Sequence, residues 1–219
     1  MDNSKHLIWV VFGALVGFGS SFIFGDLLTL PVDLYYLIYF GIILMFFIIY
    51  ITKTQLKLKD WFSRRLVWGI LLGLIFGALM VQNVLSRPET EKFTGGYLAW
   101  LIFWRGLVYG AIDGFLLSSF PWIVTWRAFD VGKKPWGKKI AFGFLAWLLI
   151  LAVTTAYHLG YSDFRSDKIM QPNIGNTIMS IPTLVSANPI GSPITHAIMH
   201  MTSIIHSPQS ELFLPPHRE

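Results

Sequence analysis

Residues 34–52 read LYYLIYFGIILMFFIIYIT, nineteen positions with no charge, no proline and a single glycine. About 20 helical residues cross a hydrocarbon core ~30 Å thick, and an uncharged apolar run of this length reads as a transmembrane helix. Four more stretches of the same kind follow the pattern, at about 7–25, 65–85, 97–128 and 139–160. Breakers and charges separate them, as in Leu30-Pro31-Val32-Asp33 and Ser86-Arg87-Pro88-Glu89. Composition agrees: 54% of the chain is apolar and 13% charged, where soluble domains carry about 25% charged residues. Aromatics reach 16%, with 9 Trp, as expected where rings sit at the headgroup boundary. The fold class is therefore all-α, a polytopic helical membrane protein, and 219 residues suit one membrane-embedded domain over 1–219. The apolar run after Lys5 resembles a signal peptide in composition. No small-residue cleavage site stands out, since Gly19-Ser20-Ser21 runs on into Phe22-Ile23-Phe24, so a retained first helix is expected.

Charge is distributed by loop. The net charge is +5, and ten of the 17 basic residues fall in two short segments between apolar runs. These are Lys53, Lys57, Lys59, Arg64 and Arg65, then Arg127, Lys133, Lys134, Lys138 and Lys139. Such clustering marks cytoplasmic loops and makes the lipid bilayer, not nucleic acid, the expected partner. It places the N-terminus in the cytoplasm and Pro31, Pro88 and Asp163 outside, in what is expected to be the plasma (inner) membrane. The stretch from Thr54 to Arg65 alternates basic and apolar residues and is expected along the membrane surface. There is no cysteine, which excludes disulfides and thiolate metal sites.

The last third changes character. Residues 161–174 are polar, and two apolar segments follow at about 175–187 and 193–206, joined through Asn188-Pro189-Ile190-Gly191-Ser192-Pro193. At ~20 Å of helix each, neither comfortably spans alone. A polar proline turn belongs inside protein, because lipid cannot satisfy a freed backbone. Six or seven membrane segments are thus expected, the last two short and partly re-entrant. The tail at Leu214-Pro215-Pro216-His217 is too polar for another crossing.

Ionisable groups within spans are costly and are functional candidates by default. Asp113 stands in Gly110-Ala111-Ile112-Asp113-Gly114, on the helix face of Gly106, Tyr109 and Gly110. Arg105, eight positions back along the same span, is one candidate to neutralise it, and a kink or an interfacial first portion is expected there beside Gly106. The triplet Gly106/Gly110/Gly114 and the pairs Gly13/Gly17 and Gly73/Gly77 are spaced at intervals of four, which lets neighbouring helices approach closely. His158 ends the fifth span. His196 and His200, four apart, point the same way one turn apart, with Ser192 and Ser203 on that face. Two imidazoles at this spacing can share a metal, although no Glu follows the first His as a metalloprotease helix requires. His206 falls off that face as a helix-end residue, and His6 and His217 are expected in solvent.

Depth can be counted from the basic loops at 1.5 Å per residue. Asp113 comes out ~21 Å above Arg127 and His158 ~28 Å above Lys139. With the proline turn ~10 Å above the inner face, His196 lies at ~15 Å and His200 at ~21 Å. The four groups share the outer half of the bilayer.

Taken in order, these residues resemble the CPBP family of intramembrane proteins, which includes the CAAX prenyl proteases and bacteriocin-processing relatives. That family carries Glu-Glu-x-x-x-Arg, then Phe-x-x-x-His, then His-x-x-x-Asn. Here Asp113, Gly114 and Ser118 stand at the first motif, and Thr154 to His158 at the second, with Thr154 in place of Phe. His196 with His200 stands at the third, with His200 in place of Asn. The resemblance covers a core of about 97–206. It implies a membrane-embedded hydrolase, with a peptide as the expected substrate. Asp113 would activate water with His158, and His196 and His200 would stabilise the tetrahedral intermediate. The departures leave three His and one carboxylate, which is also a metal-ligand inventory. The same four residues would then bind a divalent metal (zinc or iron) or a haem. A non-catalytic scaffold or subunit of a membrane-protein partner is the third alternative.

Overall fold

In the computed structural model, which describes residues 3–209, the chain is helical throughout and no strand occurs among the described residues. Helix α1 (Asn3–Ser20) runs on through a π-helical segment, Ser21–Leu27. Helix α2 (Val32–Thr54) starts directly after Pro31, with Asp33 in its first turn and Lys53 in its last. Both charges complement the helix dipole, and Gln55 closes the helix in the left-handed conformation, its N–H bonded to Ile51 O. The short α3 (Leu58–Ser63) leads to α4 (Leu66–Leu85). The long fourth span is one continuous rod in three α-helical parts, α5 (Gly95–Leu101), α6 (Tyr109–Gly114) and α7 (Phe120–Ala128). Wider π-helical turns join them at Ile102–Val108 and Phe115–Ser119. The first falls on Arg105 and Gly106, where a kink was expected. Helix α8 (Trp136–Leu159) is the fifth long span, and α9 (Met170–Ser186) and α10 (Gly191–His206) form the terminal hairpin.

Among the described residues, five helices are long and apolar enough to cross a membrane: Lys5–Leu27, Val32–Thr54, Leu66–Leu85, Gly95–Ala128 and Trp136–Leu159. Their outer faces are apolar, with Leu37, Ile48, Val67, Ile75 and Phe144 exposed, while Asp113, Asn176, His196 and His200 are buried. Polar groups inside and aliphatic groups outside are the arrangement lipid imposes. The chain is a multi-pass helical membrane protein.

Helix α10 is the enclosed arm of the terminal hairpin, whereas α9 leaves Met170, Ile174 and Val185 exposed on its outer face. Helices α9 and α10, with 17 and 16 residues, are ~26 and ~24 Å long, short of a full core as expected. Glycines seat α10 against α4. A Cβ on Gly69 would meet the Asn188 side chain, one on Gly73 would come 2.9 Å from Gly191 O, and Gly77 faces Ile198. Thr195 Oγ1 donates to Gly73 O, and at the far end the His206 ring bonds Arg87 O at 2.9 Å. His206 thus ends its helix as expected.

The turn of this hairpin lies deeper than the segment lengths imply. Asn188 Nδ2 donates to Phe62 O (3.0 Å) and Arg64 O (2.7 Å), so the tip touches the basic loop before α4. The reason is that α9 begins at Met170, five residues earlier than expected, which adds ~7.5 Å. The hairpin enters and leaves at the end opposite the basic loops, and its tip reaches them.

Two other expectations are corrected. Arg105 does not neutralise Asp113; it forms a two-pronged pair with Asp33 at the start of α2 (Nε–Oδ1 2.8 Å, Nη2–Oδ2 3.0 Å). His6 is not solvated but buried against α2, its Nε2 3.2 Å from Tyr50 OH. His217 and the 214–217 tail lie outside the described residues.

Candidate metal centre

Asp113 reaches its partners because α6 has almost no side chains on the face it shows to α10. A Cβ on Gly110 would sit 2.7 Å from Ala197 Cα, and one on Gly114 would sit 2.9 Å from His196 Cβ. Gly106 meets Met201 in the same way. The two backbones therefore touch, and Asp113 faces the next turns of α10. Its Oδ2 lies 3.4 Å from His196 Nδ1 and 3.9 Å from His200 Nε2. One ligand atom from each of the three residues falls within 4.8 Å of the others, and all three are buried. Asp113 Oδ1 accepts a hydrogen bond from Tyr39 OH at 3.3 Å. The His200 ring stands edge-on to Tyr109, 4.9 Å between centroids.

His196 is held by residues that spacing did not single out. The Thr154 hydroxyl donates to Ile150 O, one turn back in α8. Its proton thus committed, Thr154 Oγ1 must accept from Asn176 Nδ2. That fixes the amide of Asn176, turning Oδ1 towards Ser118 Oγ (2.8 Å) and His196 Nε2 (2.9 Å). The Ser118 hydroxyl donates to this oxygen, and so must His196 Nε2. A neutral His196 consequently carries its proton on Nε2 and presents the Nδ1 lone pair to the Asp113 carboxylate. Nδ1 makes no hydrogen bond. Two electron-rich atoms face each other in a buried site at 3.4 Å.

A proton on either group, or a cation bound between the two atoms, satisfies that arrangement. A buried polar atom left unsatisfied costs ~1–3 kcal/mol, and more when charged. A proton shared by an imidazolium and a carboxylate draws N and O to about 2.7–2.9 Å. With ligand bonds of about 2.0–2.2 Å in a tetrahedron, neighbouring ligand atoms are ~3.4 Å apart, close to the 3.4 Å between Asp113 and His196 and shorter than the 3.9 Å between Asp113 and His200. Two His and one carboxylate also suit zinc or iron, and the Asn176 carbonyl on the far nitrogen is the usual second support of a ligating imidazole.

Of the four expected site residues, Asp113, His196 and His200 come together. His158 does not join them. Its Nδ1 donates to Thr154 O at 2.8 Å, and its ring stands edge-on between Tyr157 and Phe164. It touches the centre only indirectly, by bonding the backbone of the residue whose hydroxyl orients Asn176. No protein-family model, no curated protein and no solved structure matches the chain.

Proposed function

We propose that the protein binds one divalent transition metal, zinc or iron, inside its membrane-embedded bundle, with Asp113, His196 and His200 as ligands. The observation that carries this reading is the tautomer of His196, whose lone pair is aimed at a buried carboxylate. Three protein ligands leave a fourth position for water or a small substrate, the composition of reactive rather than purely structural zinc sites. A bare ion is favoured over a haem, because Gly110 and Gly114 are closed on α10 and leave little room for a macrocycle beside the imidazoles. The peptide hydrolase implied by the CPBP-like motifs uses the same residues. It is less well supported, because it pairs Asp113 with His158, which lies outside the cluster that Asp113 forms with His196 and His200.

Elemental analysis of the purified protein tests the proposal. About one equivalent of metal is expected, lost in both His196→Ala and His200→Ala and weakened in Asp113→Asn, since an amide oxygen coordinates only feebly. Loss of metal should also lower Tm, because an ion bound only by the folded state stabilises it by mass action. Metal content unchanged in both His variants would defeat the ligand assignment.

We further propose that the basic end faces the cytoplasm across a plasma membrane. It carries Lys5 and the ten clustered Lys and Arg, against Asp60 and Asp130 among the described residues. In this cysteine-free chain, Lys57→Cys should resist an impermeant thiol reagent in intact cells and react after lysis. Labelling in intact cells would reverse the topology.

A further inference from the structure

A cleft of about 290 Å³ opens at the basic end, lined by Trp61, Arg64, Trp126, Arg127, Asp130 and Gly132. It lies at the end of α7 and beside α3, remote from the Asp113 centre, and the metal reading makes no use of it.

Its two arginines are placed differently. Arg127 Nη1 donates to Thr54 Oγ1 (2.7 Å) and Nη2 to Thr54 O (2.6 Å), at the end of α2. Those bonds fix the plane of the guanidinium and use two of its five N–H groups. Arg64 comes from the loop whose carbonyl is held by Asn188, and its guanidinium lies across Gly132, where a Cβ would sit 3.2 Å from Nη1. The one carboxylate on the lining, Asp130, is 2.9 Å from Lys133 Nζ, so the cleft keeps its positive character. Asp130 itself sits in the left-handed conformation (φ 48°), in a turn closed by Asp130 N to Arg127 O and Lys133 N to Asp130 O.

We infer that this cleft binds a phosphate group, as a mono- or diester or as the free anion. Guanidinium groups match phosphate oxygens with paired hydrogen bonds. Indole rings favour the depth at which lipid phosphates lie, and basic pockets between membrane helices take anionic headgroups. The volume is at the lower edge of small-molecule pockets, enough for a headgroup whose acyl chains remain in the bilayer.

The test uses the purified full chain in a neutral detergent. Thermal stability is followed while phosphatidylglycerol, phosphatidylcholine or inorganic phosphate is added. Phosphatidylglycerol should raise Tm by several degrees more than equal phosphatidylcholine. Inorganic phosphate reproducing that rise would identify the free anion as the ligand; a rise with the lipid alone would identify the headgroup. Arg64→Gln should weaken half-saturation about tenfold, while Lys138→Gln, the same charge change on an exposed residue outside the cleft, should leave it within about twofold. Arg64 is the test position because Arg127 also secures Thr54. No stabilisation by either phosphate source, or equal weakening by the two variants, would overturn the site.

Discussion

Gly110→Leu is expected to yield little folded protein and none that loads metal, whereas Gly41→Leu should behave like wild type. A Cβ on Gly110 would meet Ala197 Cα at 2.7 Å, Ala197 N at 2.9 Å and His196 O at 2.9 Å. All three are backbone atoms, so no side-chain rotation relieves the clash, and α6 and α10 must separate. Overpacking a well-filled interior costs typically 1–3 kcal/mol and occasionally more. Here the same shift draws Asp113 away from His196 and His200. Around Gly41 there is nothing within 4 Å, and the residue is exposed towards lipid. Size-exclusion profiles and thermal melts in detergent, with metal content on any monodisperse fraction, compare the two. Equal melting temperatures would show that the glycine ridge does not set the distance between the helices.

Much of this arrangement can be read directly from the residues. Long uncharged runs can do little else than cross a bilayer, and the glycines at intervals of four do mark the surfaces where α4 and α6 meet α10. A lone Asp within a span and two His four apart likewise identify the three groups that converge, because helical spacing alone puts the imidazoles on one face. The remainder depends on three helices meeting. Ser118, Thr154 and Asn176 are uncharged polar residues of a kind that often sits in membrane helices without further consequence, and nothing in their own neighbourhoods joins them. One signal was available: Asn173, Asn176, Thr177, Ser180 and Thr183 lie at helical spacing, a polar stripe in a segment that reads as apolar when only its length is considered. The Arg105 pair was misplaced for a related reason. Proximity along one helix suggested Asp113, but Asp33, 72 positions away, is the carboxylate in reach. His6 was misread because a histidine near a terminus gives no sign that Tyr50 will cover it.

Asn176→Leu should lower metal affinity about 10–100-fold, the usual effect of removing the group that supports a ligating histidine. Leucine keeps the branched shape and heavy-atom count of asparagine, though its methyl groups are bulkier, and it removes every hydrogen bond the amide makes. His196 Nε2 and Ser118 Oγ lose their acceptor, and Thr154 Oγ1 loses its donor. With nothing to hold its proton on Nε2, His196 can place it on Nδ1 and bond Asp113 directly. That removes the lone pair a metal requires and gives the carboxylate a partner without one. The apo protein therefore needs no large loss of Tm, because one new bond to a charged group offsets part of what is lost. Asn176→Asp is the informative contrast. It keeps an oxygen facing His196 and Ser118, and Thr154 can turn its hydroxyl from Ile150 O to the new oxygen, so metal should be retained. Asn176 joins Ser118 and Thr154. If this network supports the metal centre, the three should fail together, with Ser118→Ala and Thr154→Val each weakening metal binding less than Asn176→Leu. Metal titration of the apo protein, read by competition with a chelating dye, gives each affinity. Wild-type affinity in Asn176→Leu would mean that the tautomer of His196 is not set by this network, and the principal support for the metal centre would be gone.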